Sequence, residues 1–182
     1  MGRLIVDAAA SLDGFWADAR GRSVLSAAEL RGSGGSAGLS GRVEHACGAV
    51  VMSRRALELS DDAGWIAQAY PAEAPVFVVA DAPLGVPPRG QFHFLTTYGE
   101  AFAAARLAAG DKAVLVVGEA GAVKAALRSG EAPEIWLRVV SRTLGQGTPL
   151  FEEGSAVADY FVSELDTTAD AVHMHLERRL DA

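Results

Sequence analysis

Short apolar runs alternate with helix-like segments along most of this chain, and its last stretch reads only as strands. That order predicts an α/β fold, with a mixed, mostly parallel central sheet flanked by helices and an antiparallel C-terminal edge. Two observations support the parallel part. Ala113-Val114-Leu115-Val116-Val117 is apolar without interruption, as expected of a strand covered on both faces. Helical segments intervene between such runs, as parallel crossovers require. With 182 residues, half of them hydrophobic, the chain reads as one domain with a sizeable core.

The elements follow in order. Residues 4–10 form a first strand that runs into Asp13-Gly14, a pair suited to a tight turn. Ser26-Ala27-Ala28-Glu29 reads as a capping box opening a helix, which Gly32-Ser33-Gly34-Gly35-Ser36 then breaks. A second helix is expected over 39–47. Ala49–Met52 and Pro75–Ala80 are short buried strands, and Phe92–Leu95 alternates weakly. An alanine-rich helix over 98–109 ends at Gly110. The strand 113–117 leads to a helix over 120–129, closed by Gly130. Glu134–Ser141 is a strand and Gly145–Phe151 a glycine loop. Strands at 157–166 and 171–179, joined through Asp166-Thr167-Thr168, complete the chain.

Charge and composition narrow the function classes. The net charge is −7 and no basic stripe appears, so neither nucleic acid nor an anionic membrane is an expected partner. Cys47 is the only cysteine, and the four histidines form no ligand cluster, so no metal site is expected. Asp7 interrupts the first apolar run, which argues against a signal peptide, and no run approaches the ~20 residues of a membrane helix. A cytoplasmic protein is the default expectation.

Sheets of this class bind ligands at the carboxyl ends of their strands. Three loops fall at such ends: after the first strand, after Met52 and after Val117. Ala8-Ala9-Ala10 keeps side chains small before the first of these, leaving room for a flat ligand; close packing against a helix accounts for the same residues. Gly118-Glu119-Ala120-Gly121 leaves a strand and enters a helix, where backbone N–H groups can hold a phosphate. Ser53-Arg54-Arg55 puts two guanidinium groups at another strand end, suited to bidentate phosphate pairing or simply to solvent. Phe15 and Trp16 follow the Asp-Gly turn and suit either a ligand cover or a core seal.

Taken together, ASLDGFWAD (10–18), GRSVLS (21–26), AVVMSRRALE (49–58), VVGEAGAVKAAL (116–127) and EIWLRVVSRTLGQGTPLF (134–151) carry a resemblance spanning nearly the whole chain. The chain resembles the dihydrofolate reductase-like superfamily, and within it the C-terminal reductase domain of the bifunctional riboflavin-biosynthesis deaminase-reductase and its stand-alone relatives. The resemblance implies NADPH across the strand ends, hydride transfer to a small heterocyclic substrate, and a homodimer. It places Ala10, Ser53, Arg54, Arg55, Gly118, Glu119, Ala120 and Gly121 at the cofactor. Ser11, Phe15, Trp16, Ser26, Arg42 and Gly147 fall at the substrate, and Asp13 is the positional candidate for a catalytic acid.

Departures from the family pattern are specific. Ala56 replaces a Thr that would donate to cofactor phosphate, and Glu119 replaces a Gly beside the pyrophosphate. Asp81 stands where Ser, Thr or a basic residue is usual near the 2′-phosphate. Phe15 replaces a Lys that would hold a substrate phosphate, which implies an unphosphorylated substrate. The zinc deaminase signature is missing from the chain. These departures define the rival expectation: a binding protein that kept the fold, lost the dinucleotide and takes another small ligand.

Overall fold

The chain was described by a computed structural model covering residues 2–25, 42, 45–58, 70–81, 92–151 and 159–179. The strands are β1 (Leu4–Ser11), β2 (Phe15–Asp18), β3 (Cys47–Ser53), β4 (Val76–Val79), β5 (Phe92–Leu95), β6 (Ala113–Val117), β7 (Glu134–Val140), β8 (Gly147–Pro149), β9 (Tyr160–Thr167) and β10 (Ala171–Arg178). The helices are α1 (Arg54–Glu58), α2 (Tyr98–Ala109) and α3 (Ala120–Arg128). Eight strands form one sheet in the order β5-β4-β3-β6-β1-β7-β10-β9, and β2 pairs with β8 in a separate ribbon. All pairings from β5 to β7 are parallel. Those of β10 with β7 and β9 are antiparallel, giving the expected C-terminal edge.

Side-chain alternation along the strands builds two cores. Leu4 and Val6 of β1, Val51 of β3 and Val114 and Val116 of β6 face the same side. There they meet Ala101, Phe102 and Ala105 of α2 and Ala122, Val123 and Ala126 of α3. Small residues on both helices let their backbones approach the sheet closely. α2 starts cleanly because the Thr97 hydroxyl accepts from the Glu100 N–H at 3.3 Å and donates to the Glu100 carboxylate at 3.0 Å. On the opposite face Ile5, Val50, Met52, Leu115 and Val117 pack with Leu57 and Tyr70.

Three readings of the sequence change. Phe15–Asp18, read as loop, is a strand, and part of the glycine loop is its partner β8. A side chain at Gly147 would put its Cβ 1.9 Å from the Ala17 carbonyl oxygen, so this pairing demands glycine. Segments of three and four residues carry too little periodicity to be read as strands. Cys47 opens β3 rather than closing the expected 39–47 helix; its thiol is buried at the edge of the apolar run. The Ser26 capping box, the Gly/Ser stretch and Asp61-Asp62 lie outside the described residues.

Candidate functional site

β3, β6 and β1 are immediate neighbours in the sheet and run in the same direction. Val117 stands level with Met52 and with Asp7, so the loops after Ser53 and Val117 meet at one edge beside Asp7, and β1 continues past them to Ser11. Gly118 is central to this meeting. It has φ +101°, and its N–H points to the Asp7 carbonyl at 3.4 Å. A Cβ at this position would lie 2.8 Å from the Ala56 Cβ. Only glycine lets the turn after β6 sit this close to α1.

The Ser53 hydroxyl accepts from the Ala56 N–H at 3.0 Å, which fixes the start of α1. Ser53 and the Glu119 carboxylate both act on the Tyr98 hydroxyl. Burial, reinforced by that carboxylate, holds the Tyr98 pKa well above its ordinary value, so its hydroxyl stays a donor. These contacts join the end of β3, the start of α2 and the entry to α3. Glu119 occupies the position before α3 without capping it through its side chain. Its Oε1 instead lies 2.7 Å from where a Cβ of Gly121 would be, and the Tyr98 hydroxyl lies 3.7 Å from that point. The chain's own carboxylate thus sits over the first turn of α3, whose N–H groups make a helix start attractive to anions.

The two arginines of α1 part company. Arg54 Nε pairs with Glu58 Oε1 at 2.7 Å. Arg55 turns toward β2, its guanidinium carbon 5.4 Å from the centroid of the Trp16 ring. Its Nη2 reaches within 2.9 Å of where Gly21 would carry a Cβ.

At the end of β1 the candidate residues serve the turn. Asp13 accepts from the Ser11 hydroxyl at 2.5 Å, from the Leu144 N–H at 3.1 Å and from the Gly145 N–H at 2.7 Å. The Ser11 bond comes first among the causes that hold Asp13 down to about 2. A carboxylate so stabilised is a poor proton donor. It ties the β1–β2 turn to the loop after β7. Ser11 is buried and accepts from the Phe15 N–H at 3.0 Å, so its hydroxyl is committed to the same turn. Trp16 and Ala10 lie in the core cluster on the α2–α3 side, and Ala9 is covered by Val24, Leu25, Val140 and Ala171. The small alanines permit close packing, which corrects the reading of their side chains as space for a ligand.

Two other substrate candidates have partners within the chain. Arg42 forms an ion pair with Glu164 of β9, and its guanidinium carbon lies 5.6 Å from the centroid of the Trp136 ring. Trp136 stands level with Asp7, itself level with Val117 at the end of β6, so Arg42 covers the Asp7 face of the sheet. Gly147 serves the β2–β8 pairing, and Ser26 lies outside the described residues. Gly118, Glu119, Ala120, Gly121, Ser53 and Arg54 do come together around the β3 and β6 ends.

Sequence reasoning missed a polar group on the other sheet face. Asp7 accepts from the Tyr70 hydroxyl at 2.9 Å. Burial raises the Asp7 pKa against the opposing pull of Arg138, the Tyr70 bond and His173. Arg138 pairs across the sheet with Ala9 on one side and His173 on the other, and its Nε is buried without a partner. A buried carboxyl pushed toward its protonated form is chemically able to give a proton. The signal was present: two charged residues sit inside otherwise apolar strands. Among the described residues, no group of three or more His, Cys, Asp or Glu is arranged to hold a metal ion.

No protein-family model and no curated protein matches this chain. Solved structures do. A putative riboflavin biosynthesis protein from Shewanella sp. PV-4 superposes with a TM-score of 0.71 at 21% identity, over 98% of this chain and 99% of that one. The chain has the fold of that protein. A diaminohydroxyphosphoribosylaminopyrimidine deaminase/5-amino-6-(5-phosphoribosylamino)uracil reductase from Thermotoga maritima gives 0.65 at 15% identity, over 98% of this chain and 57% of its own. Acinetobacter baumannii RibD gives 0.70 at 16% identity, over 99% and 59%. The present chain therefore spans a little over half the length of the latter two. The resemblance read from the motifs extends to the fold as a whole, from the parallel centre to the antiparallel edge.

Proposed function

We propose that this chain is a reductase of the riboflavin-biosynthesis reductase type, transferring hydride from a reduced nicotinamide dinucleotide to a small, unphosphorylated heterocycle. The observation that carries the reading is the meeting of the β3 and β6 ends beside Asp7, where Gly118 lets the turn into α3 close against α1. Gly118 and the first turn of α3 fit a pyrophosphate; the Glu119 carboxylate above them does not. NADPH is the form the resemblance implies. When bound, the nicotinamide supplies the hydride, and the protein's part is to orient it and exclude water. Asp7, buried on the face next to Arg138, replaces Asp13 as the acid suited to proton delivery.

A second reading is favoured by Glu119 and by the packed alanines of β1: a binding protein of reductase fold without the dinucleotide. Titrating the pure chain with NADPH and NADH while following nicotinamide fluorescence separates the two. Saturation with a Kd in the micromolar range supports the reductase. A Kd no tighter than millimolar for both leaves only the binding protein. A second copy of the chain is the proposed partner, seated on the β9 side, where Phe161, Val162 and Leu165 are exposed on the sheet's edge strand. Among the described residues no helix is long and apolar enough to cross a membrane.

A further inference from the structure

A second polar cluster lies toward the antiparallel edge of the sheet, beyond β1. Strand alternation puts Glu134 and Trp136 of β7 on one face with His175 and Glu177 of β10, where Trp136 stands level with His175. The His175 ring is buried and stacks on Trp136, with 4.2 Å between centroids. Its Nε2 lies 3.2 Å from Glu134 Oε2, and Glu134 Oε1 accepts from Arg3 Nε at 2.8 Å. At the other end of the ring, Nδ1 lies 3.1 Å from the Ser163 hydroxyl of β9.

A bulge delivers that hydroxyl. Glu164 pairs with His175 and Val162 with Leu176, which leaves Ser163 as the extra residue between them. In regular alternation the neighbour of Glu164 would face away from His175. The bulge turns Ser163 onto the His175 face instead. The bonding also sets the tautomer. A carboxylate paired with Arg3 only accepts, so Nε2 carries the ring proton and Nδ1 is the bare acceptor facing Ser163. The hydroxyl has a second acceptor in the His175 carbonyl oxygen at 3.2 Å. Ser163 is exposed, and so is Phe161, which pairs with Glu177 and therefore shares this face.

We propose that Ser163 is a nucleophile with His175 as its general base and Glu134 as a positioning residue, acting on esters that carry a small aryl or apolar group. Neither Ser53, Gly118 nor Glu119 takes part, so the proposal stands apart from the reductase reading. Oγ bonds to the ester carbonyl carbon while its proton passes to His175 Nδ1, and Glu134 holds the resulting imidazolium. Breaking the ester C–O bond releases the alcohol, which takes that proton and leaves an acyl group on Ser163. Water attacks the acyl carbon by the same route and releases the acid. β9 is the last strand of the sheet, so its outward N–H groups are the donors open to the oxyanion. Phe161 offers its ring to the apolar part of the ester.

The test uses the full chain with p-nitrophenyl acetate and, as a trap, a fluorophosphonate whose phosphorus Oγ attacks with loss of fluoride. Peptide mass spectrometry of wild type should show a single adduct, on Ser163, and p-nitrophenolate release should track the acetyl adduct. Ser163→Ala should abolish both. His175→Gln should slow adduct formation by about a hundredfold. Glu134→Gln can donate to Nε2 and move the ring proton to Nδ1, so it should slow the reaction with an unchanged circular dichroism spectrum. Glu134→Asp should restore part of the rate. No adduct on wild type, an adduct at another residue, or a His175→Gln variant reacting at the wild-type rate overturns the proposal. The wild-type result decides even if a variant fails to fold. Dinucleotide titration of the same preparation reads the reductase proposal separately.

Discussion

Replacing Glu119 by glutamine should tighten dinucleotide binding. The carboxylate lies over the first turn of α3, its Oε1 2.7 Å from the place of a Gly121 Cβ. A pyrophosphate resting on the same N–H groups would stand about 4 Å from it. Each unit pair of like charges at that separation costs about 1 kcal/mol in bulk water and about 4 kcal/mol at an effective dielectric of 20. A partly open crevice lies toward the first value, so Glu119→Gln should lower the dinucleotide Kd by about tenfold. The cost to the fold is small. Glutamine keeps an oxygen to accept from Tyr98, and removing a negative charge from the α3 N-terminus forfeits only about 0.3–1 kcal/mol. The assay is nicotinamide fluorescence at low and high salt, with urea unfolding in parallel. Affinity unchanged within twofold at low salt, in a variant of near wild-type stability, would refute the reasoning. It would place the pyrophosphate away from α3.

Other changes probe the frame around the crevice. Gly118→Ala should lose about 1–3 kcal/mol in urea unfolding, because φ is +101° and the new Cβ would meet Ala56 at 2.8 Å. Asp13 has a depressed folded pKa of about 2. Its stabilising effect is therefore present above its unfolded pKa near 3.8 and lost as pH falls toward 2. Asp13→Asn should flatten the thermal-melt dependence on pH in that window. Asp7 behaves oppositely. Its folded pKa is raised, so the native state binds more protons and stability falls as pH rises from about 4. Asp7→Asn should remove that decline in pH-dependent melts, because its amide oxygen can still accept from Tyr70.

The central sheet was legible because its signals were long or extreme. β6 is five apolar residues without a break, α2 is closed by Gly110 at φ +62°, and β1 is followed by the Asp13-Gly14 turn. The strand ends that meet were readable for the same reason, since parallel strands point their carboxyl ends one way. What escaped depends on tertiary partners. β2 and β8 are held by each other rather than by their own pattern. Tyr98 reads as the first residue of a helix, and only the packing of α2 brings its hydroxyl to Glu119. Asp7 and Arg138 could have been found, since charge inside an apolar strand demands a partner. For Arg42 and Trp16 a motif gives their order along the chain and not the face on which they land.

The most direct test of a dinucleotide crevice at the β3 and β6 ends is an amide chemical-shift titration of the isotopically labelled chain with NADH. The account predicts saturable shifts concentrated at Ser53–Ala56, Gly118–Gly121 and Asp81. Silence at those amides at millimolar NADH, or shifts confined to β9 and β10, would contradict it.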